Sequence, residues 1–250
     1  MTEVEELIRE RWENSAEGYS SFIERELEDL TKEKWRKYII EDNSNSPLKI
    51  LDLGTGPGYF SIILSEVGHD VTGVDIAEQM VQVASRNAKK VNVSPKFRVM
   101  DNHKLEFEDN TFDILVCRNV TWTLERPKEA YKEWYRVIKP QGKLIIFDAN
   151  WHLHEYDEEL HKIYLADVEE HDKLYPKIIH SYRGKNPEAK SYYKRLPLSR
   201  IVRPNWDMKA LREIGFSEVI TNTNINKDVY LESDQLLYRS IPMFRICAMK

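Results

Sequence analysis

The sequence predicts an α/β fold in which a mostly parallel sheet carries helices on both faces. Short apolar segments alternate with helical segments from residue 47 to residue 150, which is typical of parallel strands joined by helical crossovers. Three of the nine glycines, Gly54, Gly56 and Gly58, also follow the first apolar segment directly. A glycine-rich turn between a strand and a helix allows the backbone to approach a ligand closely, because no Cβ is in the way.

The N-terminal segment precedes the predicted sheet and is rich in charge. Apolar residues recur at helical intervals from residue 2 to residue 40, and Gly18 interrupts them. We therefore expect two amphipathic helices with a break near Gly18. Residues 42–47 follow as a turn-rich linker.

The glycine loop indicates a cofactor site of a particular kind. A dinucleotide fingerprint, G-x-G-x-x-G, would need its third glycine at position 59, which is Tyr59. This spacing disfavours a pyrophosphate and a nicotinamide-dependent oxidoreductase. The alternative interpretation is a tight turn in an unrelated α/β protein.

Polar residues end the next predicted strands. Asp75 ends the second strand, where an acid can accept hydrogen bonds from both hydroxyls of a ribose. Its alternative role is to cap a helix that starts near Ala77. Asp101 and Asn102 follow the third strand, where an adenine edge could be bound. The fourth strand, residues 112–117, leads into Arg118 and Asn119, and the predicted fifth strand ends near residue 150.

These motifs together resemble the class I S-adenosylmethionine-dependent methyltransferases, in the small-molecule branch that includes the quinone and sterol methylating enzymes. The resemblance covers residues 10–150 and rests on motifs in the family's order: Trp12 to Tyr19, Lys49 to Gly58, Asp75, Asp101 to Asp113, Leu124 to Pro127 and Val137 to Leu144. It implies a Rossmann-like sheet of seven strands, S-adenosylmethionine as the cofactor and S-adenosylhomocysteine as the product.

The resemblance also implies a division of one methyltransferase domain, residues 1–250, into four parts. Residues 1–46 would form a helical lid, 47–150 the cofactor-binding core, 151–205 a substrate-cap insert, and 206–250 a closing helix with a final β-hairpin. The implied cofactor contacts are Tyr19, Asp52, Gly54, Thr55, Gly56, Gly58, Asp75, Ile76, Met80, Asp101, Asn102 and Arg118.

The candidate catalytic residues are Tyr19, Asn119, His152 and His154. A sulfonium methyl group is already activated, so transfer depends mainly on the position of the acceptor atom, and a general base matters only when the acceptor carries a proton of high pKa. Tyr19 is a lid residue by the resemblance, or else packs on the core. Asn119 could orient the acceptor between Trp122 and Trp151, although both tryptophans could equally be core residues.

His152 and His154 would project to the same side if the chain stays extended after the fifth strand. They could act as a base or substrate contact, ligate a metal, or lie at the surface. Their spacing matches no standard zinc signature, so no metal is predicted.

The insert is polarised in charge. Its first half is acidic from Glu155 to Asp172, and its second half, Lys177–Arg203, is basic. With the tyrosines at positions 182, 192 and 193, the basic half could bind an anionic substrate or single-stranded RNA, or it could pair with the acidic half.

Composition and charge narrow the classes of partner, site and location that the sequence allows. The net charge of −5 and the pI near 5.9 disfavour a nucleic-acid partner. The two cysteines suggest neither a disulfide framework nor a cysteine metal site. No apolar segment approaches the length of about 18 residues that spans a bilayer, and the N-terminus has no signal-like apolar region. We expect a cytoplasmic protein without a membrane partner.

The leading hypothesis is methyl transfer from S-adenosylmethionine to a small molecule by in-line displacement. An anionic acceptor is one candidate. The alternatives are an RNA or protein methyltransferase that uses the Lys177–Arg203 face, and a non-catalytic cofactor-binding module.

Overall fold

A computed structural model describes residues 2–28, 31–40, 46–176 and 192–250. Its strands are β1 (Lys49–Leu53), β2 (Asp70–Asp75), β3 (Lys96–Val99), β4 (Phe112–Arg118), β5 (Ile138–Asp148), β6 (Glu218–Asn222) and β7 (Phe244–Met249). Within the described residues they form one sheet of seven strands in the order β3-β2-β1-β4-β5-β7-β6. The first five strands are parallel, and β7 is antiparallel to both β5 and β6. The predicted fold class is confirmed.

Helices connect and cover the strands. They are α1 (Glu3–Glu28), α2 (Lys32–Ile39), α3 (Tyr59–Ser65), α4 (Glu78–Lys90), α5 (Pro127–Val137), α6 (Glu158–Leu174), α7 (Asn205–Ile214), α8 (Asn226–Val229) and α9 (Glu232–Leu237). Four 3-10 helices, at Thr121–Thr123, Leu153–Tyr156, Tyr192–Arg195 and Pro197–Ser199, supplement them within the same residues.

The central strands bury both faces, as parallel strands between helical layers do. Leu51 and Leu115 point to a core that also contains residues of α5 and α7. Their neighbours Ile50 and Ile114 point to the opposite core, which contains residues of α2 and α3. This alternation follows from the two-residue period of a strand. Because β1 to β5 run parallel, their carboxyl ends lie at one edge of the sheet.

Two predicted features of the chain are wrong. The helix does not break near Gly18, because α1 runs without interruption through this exposed glycine. A helical glycine costs only about 1 kcal/mol relative to alanine, and α1 has polar contacts to α4 on both sides of it, from Glu17 to Arg86 and from Ser20 to Asn87. The last two strands are antiparallel neighbours, but they form no tight hairpin, since α8 and α9 lie between them.

The proposed basic face of the insert is corrected in part. Residues 177–191 lie outside the described residues. Of the remainder, Arg203 is fully buried and Tyr192 and Tyr193 are buried, so none of the three contributes to an exposed face. Asp167 and Glu170 of α6 pair with Arg239, and the alternative that the two halves pair with each other depends mainly on residues 177–191, outside the described residues.

Among the helices in the described ranges, none combines the length and the apolar character that crossing a bilayer would require.

Candidate functional site

The glycine loop connects β1 to α3 at the carboxyl edge of the sheet. Gly54, Gly56 and Gly58 have φ values of 62°, 51° and 93°, a left-handed region that other residues rarely adopt. A Cβ on Gly54 would also lie 2.5 Å from Val120 Cγ2. The loop therefore requires glycine for its own conformation and for its contact with the chain after β4.

Asp52 of β1 holds the glycine loop and the start of α3 through hydrogen bonds. Its Oδ2 accepts hydrogen bonds from Thr55 Oγ1 at 2.7 Å, from Ser61 N at 3.0 Å and from Ser61 Oγ at 2.8 Å. Burial raises the pKa of Asp52 to about 6, although these donors act in the opposite direction. The buried carboxylate thus faces the loop and α3.

Gly73, in the middle of β2, is a supporting residue that the sequence analysis missed. A Cβ there would lie 2.6 Å from Ser61 Oγ and 2.7 Å from Thr55 Oγ1. A single glycine within an apolar strand was the available signal, since such a glycine often marks close approach of another segment.

Asp75 joins the end of β2 to the glycine loop. Its Oδ2 accepts from Gly56 N at 2.9 Å, and its Oδ1 accepts from Ala77 N at 3.0 Å. Burial raises the pKa of this carboxyl to about 6, against the effect of both backbone donors. Asp75 does contact the backbone before α4, as the capping alternative expected, but it also holds the glycine loop.

The lid helix α1 lies across this edge. Glu13 accepts hydrogen bonds at the start of α4, from Glu78 N at 2.9 Å and from Gln79 N at 2.8 Å. The Tyr19 ring lies 3.6 Å from the position that a Cβ on Gly56 would take. The lid therefore contacts both the glycine loop and the helix that follows Asp75.

Polar groups meet under the lid at the end of β4. The Tyr19 hydroxyl interacts with the Arg118 guanidinium and the Asn119 amide, and burial, the largest effect, raises the pKa of Tyr19. Arg118 is engaged by Glu26, to which it donates at 3.0 Å and 2.7 Å. Asn119 has a φ of 60°, and its buried Oδ1 has no hydrogen-bond partner among the described residues.

Asp101 and Asn102 lie beyond β3, as predicted, but they already have other contacts. Asp101 Oδ1 accepts from His103 N at 2.8 Å and lies 2.8 Å from His103 Nδ1. The buried Glu5 of α1 lies 3.6 Å from the same ring nitrogen. Asn102 uses its backbone carbonyl to accept from Trp134 Nε1 at 3.0 Å, while its buried Oδ1 has no partner in the described part of the chain.

The predicted cofactor contacts Ile76 and Met80 lie just before α4 and in its first turn. Met80 is buried in a small cluster with Ala77, whereas Ile76 is half-buried. Trp12 and Tyr19 of the lid pack against this cluster. The cluster thus lies directly beneath α1.

The two candidate histidines do not project to the same side. The chain turns at Trp151 and His152 and enters a 3-10 helix, so it is not extended there. His152 stacks on Tyr193 with ring centroids 4.0 Å apart, whereas His154 stacks on Tyr164 of α6. Burial lowers the pKa of His152, although Glu155 at 2.8 Å acts in the opposite direction. Of the two histidines, the structure therefore brings only His152 against Tyr193, which packs with Val4 and Ile8 of α1.

Trp122 and Trp151 are held by one buried acid at the end of β5. Asp148 accepts from Trp122 N at 3.0 Å and from Trp151 Nε1 at 2.9 Å. It also pairs with Arg203, which donates to Asp148 at 3.1 Å and to Asp207 Oδ2 at 2.9 Å. This network attaches the end of the insert to the sheet, and the sequence analysis did not detect it.

The fold and the site define an α/β protein in which a glycine loop and buried polar side chains meet at the carboxyl ends of β1, β2 and β4. Residues 51–146 match the model of the family described as "Methyltransferase domain". This match, together with the sheet order, supports a class I S-adenosylmethionine-dependent methyltransferase.

Three comparisons show the range of similar proteins. Phosphoethanolamine N-methyltransferase 3 of Arabidopsis thaliana is 33% identical over 101 residues, which cover 40% of this chain and 21% of that protein. A ubiquinone biosynthesis O-methyltransferase of Coxiella burnetii is 30% identical over 120 residues, 48% of this chain and 51% of that protein. The match thus spans about a fifth of the first of these curated relatives and about half of the second.

A solved SAM-dependent methyltransferase of Thermotoga maritima covers 96% of this chain and 98% of its own, with a TM-score of 0.59 and 19% identity. At this identity the likeness concerns the fold alone.

Proposed function

We propose that this protein binds S-adenosylmethionine in the crevice at the carboxyl edge and transfers its methyl group to a small-molecule acceptor. The observation that carries the proposal is the contact from Gly56 N to Asp75 Oδ2. It places a buried carboxylate beside the glycine loop, within the residues that match the methyltransferase domain.

The side chains of the crevice fit the groups of this cofactor. Each Asp75 oxygen accepts one backbone hydrogen bond, and a carboxylate oxygen has a second lone pair that a ribose hydroxyl can use. Asn119 Oδ1 is a buried acceptor without a partner in the described part of the chain, which suits an ammonium group such as that of the cofactor's amino acid. Gly56 leaves the space beside the loop free of a side chain.

The chain's own contribution to the reaction would be mainly position. The bound sulfonium supplies an activated methyl group, so that in-line approach of the acceptor atom is the main requirement. The Tyr19 ring on the glycine loop would close the crevice and exclude water. The hydroxyl of Tyr19 and the amide of Asn119 lie where they could orient the acceptor.

A small acceptor is favoured over a macromolecule by the placement of the lid. Lid residues Val4 and Ile8 pack in one cluster with Trp122 and with Tyr192 and Tyr193. This cluster would enclose an acceptor from three sides. The curated relatives are named for ubiquinone biosynthesis and for phosphoethanolamine, which are consistent with a small molecule.

Calorimetric titration with S-adenosylhomocysteine and with NAD tests the proposal. We expect the former to bind and NAD to bind at least tenfold more weakly. Gly56→Arg should abolish binding because its side chain would occupy the ligand space, whereas Gly68→Arg is a matched control, since Gly68 is also left-handed but has open space around it. Equal binding of NAD, or normal affinity in Gly56→Arg, would contradict the proposal.

A further inference from the structure

Arg11 is a half-buried cation of the lid whose surroundings are aromatic. Its guanidinium carbon lies 5.5 Å from the Trp12 ring centroid, 5.6 Å from that of Tyr192 and 4.9 Å from that of Tyr193. Rings attract a guanidinium, but they accept no strong hydrogen bond from its fork of donors. Among the described residues no carboxylate forms an ion pair with Arg11, whereas Arg9 on the same helix pairs with Glu6 and Glu13.

Two buried donors in this cluster have no acceptor among the described residues. Arg11 Nε and the Tyr192 hydroxyl are buried without a hydrogen-bond partner in the described ranges, and Tyr192 is only 3% exposed. Burial raises the pKa of Tyr192, so its hydroxyl remains a donor at neutral pH. A buried donor without an acceptor is costly, and an acceptor-only group that reached both atoms would satisfy them beside the cation.

The cluster lies next to the cofactor crevice. Trp12 packs against the cluster that contains Tyr192 and Tyr193, the rings beside Arg11. It also packs against Ala77 and Met80 beneath the lid. On the other side, Trp122 lies 5.6 Å from Tyr193, measured between ring centroids, and follows the end of β4. A ligand here would lie between the lid, the chain after β4 and the insert.

We propose that Arg11 and Tyr192 bind an oxyanion of the methyl acceptor, a carboxylate or a phosphate. This proposal rests on the proposed function, because it assigns the acceptor side of the same crevice. A guanidinium presents its donors in a fork that matches either oxyanion, and the Tyr192 hydroxyl supplies a further donor. The flanking rings of Trp122 and His152 suit a flat apolar body attached to the oxyanion.

The test titrates benzoate, phenyl phosphate and the neutral benzamide into the full chain, with and without saturating S-adenosylhomocysteine. We expect at least one of the two anions to bind the wild-type protein. Its Kd should rise at least tenfold in Arg11→Met and about threefold in Tyr192→Phe, and benzamide should bind all variants alike. Arg11→Lys, which retains the charge without the fork, should be intermediate. The ratio of the two anions' affinities distinguishes a carboxylate from a phosphate.

The control is Arg25→Met, an exposed arginine of the same helix, which should bind the anion like the wild type. S-adenosylhomocysteine affinity should stay within twofold in every variant. Binding of neither anion to the wild type, equal binding by Arg11→Met, or an equal loss in Arg25→Met would overturn the proposal. Failure of S-adenosylhomocysteine to bind the wild type would contradict the proposed function instead, while the titrations without it would still decide the role of Arg11.

Discussion

Asp75 is a buried acid whose pKa is raised to about 6 mainly by burial. Ribose hydroxyls would donate to its ionised form, which predominates only above that pH. We therefore predict that S-adenosylhomocysteine affinity falls as the pH drops below about 6, approaching tenfold per pH unit. Calorimetry from pH 5 to 8 measures this.

Asp75→Asn is the matched variant, since it retains the shape without the titration, and its affinity should be lower at pH 8 and independent of pH. Because Asp52 also has a pKa near 6, a slope that persists in Asp75→Asn would assign the titration to another group. In the cofactor-free protein, stability changes with pH in the direction opposite to cofactor affinity. A folded pKa above the unfolded value of about 3.9 means that the native state binds more protons, so this group's contribution to stability falls as the pH rises from about 4 to 6.

His152 and His154 should now differ in function. His152 stacks within the aromatic cluster, whereas His154 lies against α6. We predict that His152→Ala lowers kcat/KM by tenfold or more with an unchanged cofactor affinity, and that His154→Ala changes neither by more than twofold. Steady-state rates with an identified acceptor, alongside calorimetry, measure both. Similar rates in the two variants would remove His152 from the site.

Arg203 compensates two buried acids, Asp148 and Asp207, and all three side chains are 0% exposed. Arg203→Met should lower the free energy of unfolding by about 3–5 kcal/mol, because it leaves buried carboxylates without their cation. Arg200→Met is the control, since Arg200 is exposed and contacts the Tyr156 ring, and it should change stability by less than about 1 kcal/mol. Denaturant unfolding measures both, and equal losses would contradict this role of Arg203.

At the scale of elements, the lid is attached to α4 by a row of side chains. Glu13 accepts from the first two backbone N–H groups of α4, and Glu17 and Glu24 pair with Arg86 and Lys90. The two ion pairs are exposed and contribute little. Glu13 satisfies helix N-terminal donors that otherwise lack partners, so it is the stronger attachment.

We predict that Glu13→Ala increases hydrogen exchange in residues 3–28 and at the start of α4, with the strands unaffected. Hydrogen exchange followed by mass spectrometry measures this for each segment. Glu10→Ala on the exposed side of the same helix should exchange like the wild type. Unchanged protection in Glu13→Ala would mean that apolar packing alone holds the lid.

Local sequence signals predicted the elements where packing agreed with them. The strands from β1 to β4 followed from short apolar segments with polar ends, and the glycine loop followed from its composition. The break at Gly18 was wrong because contacts with a distant helix outweighed a local penalty. The different directions of His152 and His154 could not be predicted either, because they depend on a turn of the chain and on the later helix α6.

For the whole molecule, cofactor binding should appear as added stability. A ligand at a hundred times its Kd stabilises the native state by about 2.7 kcal/mol, and a chain of this size gains about 2–4 °C per kcal/mol. We predict that S-adenosylhomocysteine at that excess raises the melting temperature by about 5–10 °C and that NAD at the same concentration raises it by less than about 1 °C. Thermal unfolding followed by circular dichroism measures this, and Gly56→Arg should show neither shift.

The overall architecture was more predictable than the site. Parallel order and the carboxyl edge follow from alternation along the chain, whereas Arg203, Glu13 and Arg118 each have a partner far away in sequence: Asp148, Glu78 and Glu26 respectively. Charge pattern even misassigned Arg203 to an exposed basic face. Which side chains neutralise each other depends on tertiary contacts that no local pattern contains.

Two reciprocal hydrogen bonds join Asn150 and Arg203, the residues on either side of residues 151–202. Arg203 N donates to Asn150 Oδ1 at 2.9 Å, and Asn150 Nδ2 donates to the Arg203 carbonyl at 3.0 Å. The chain thus leaves and returns to the sheet's edge at the same point, where Asn150 and Arg203 hold the two ends of the segment together. Because both ends of residues 151–202 are held there, a change of length inside this segment does not by itself displace the strands, so that under the proposed function acceptor choice could evolve separately from the cofactor site.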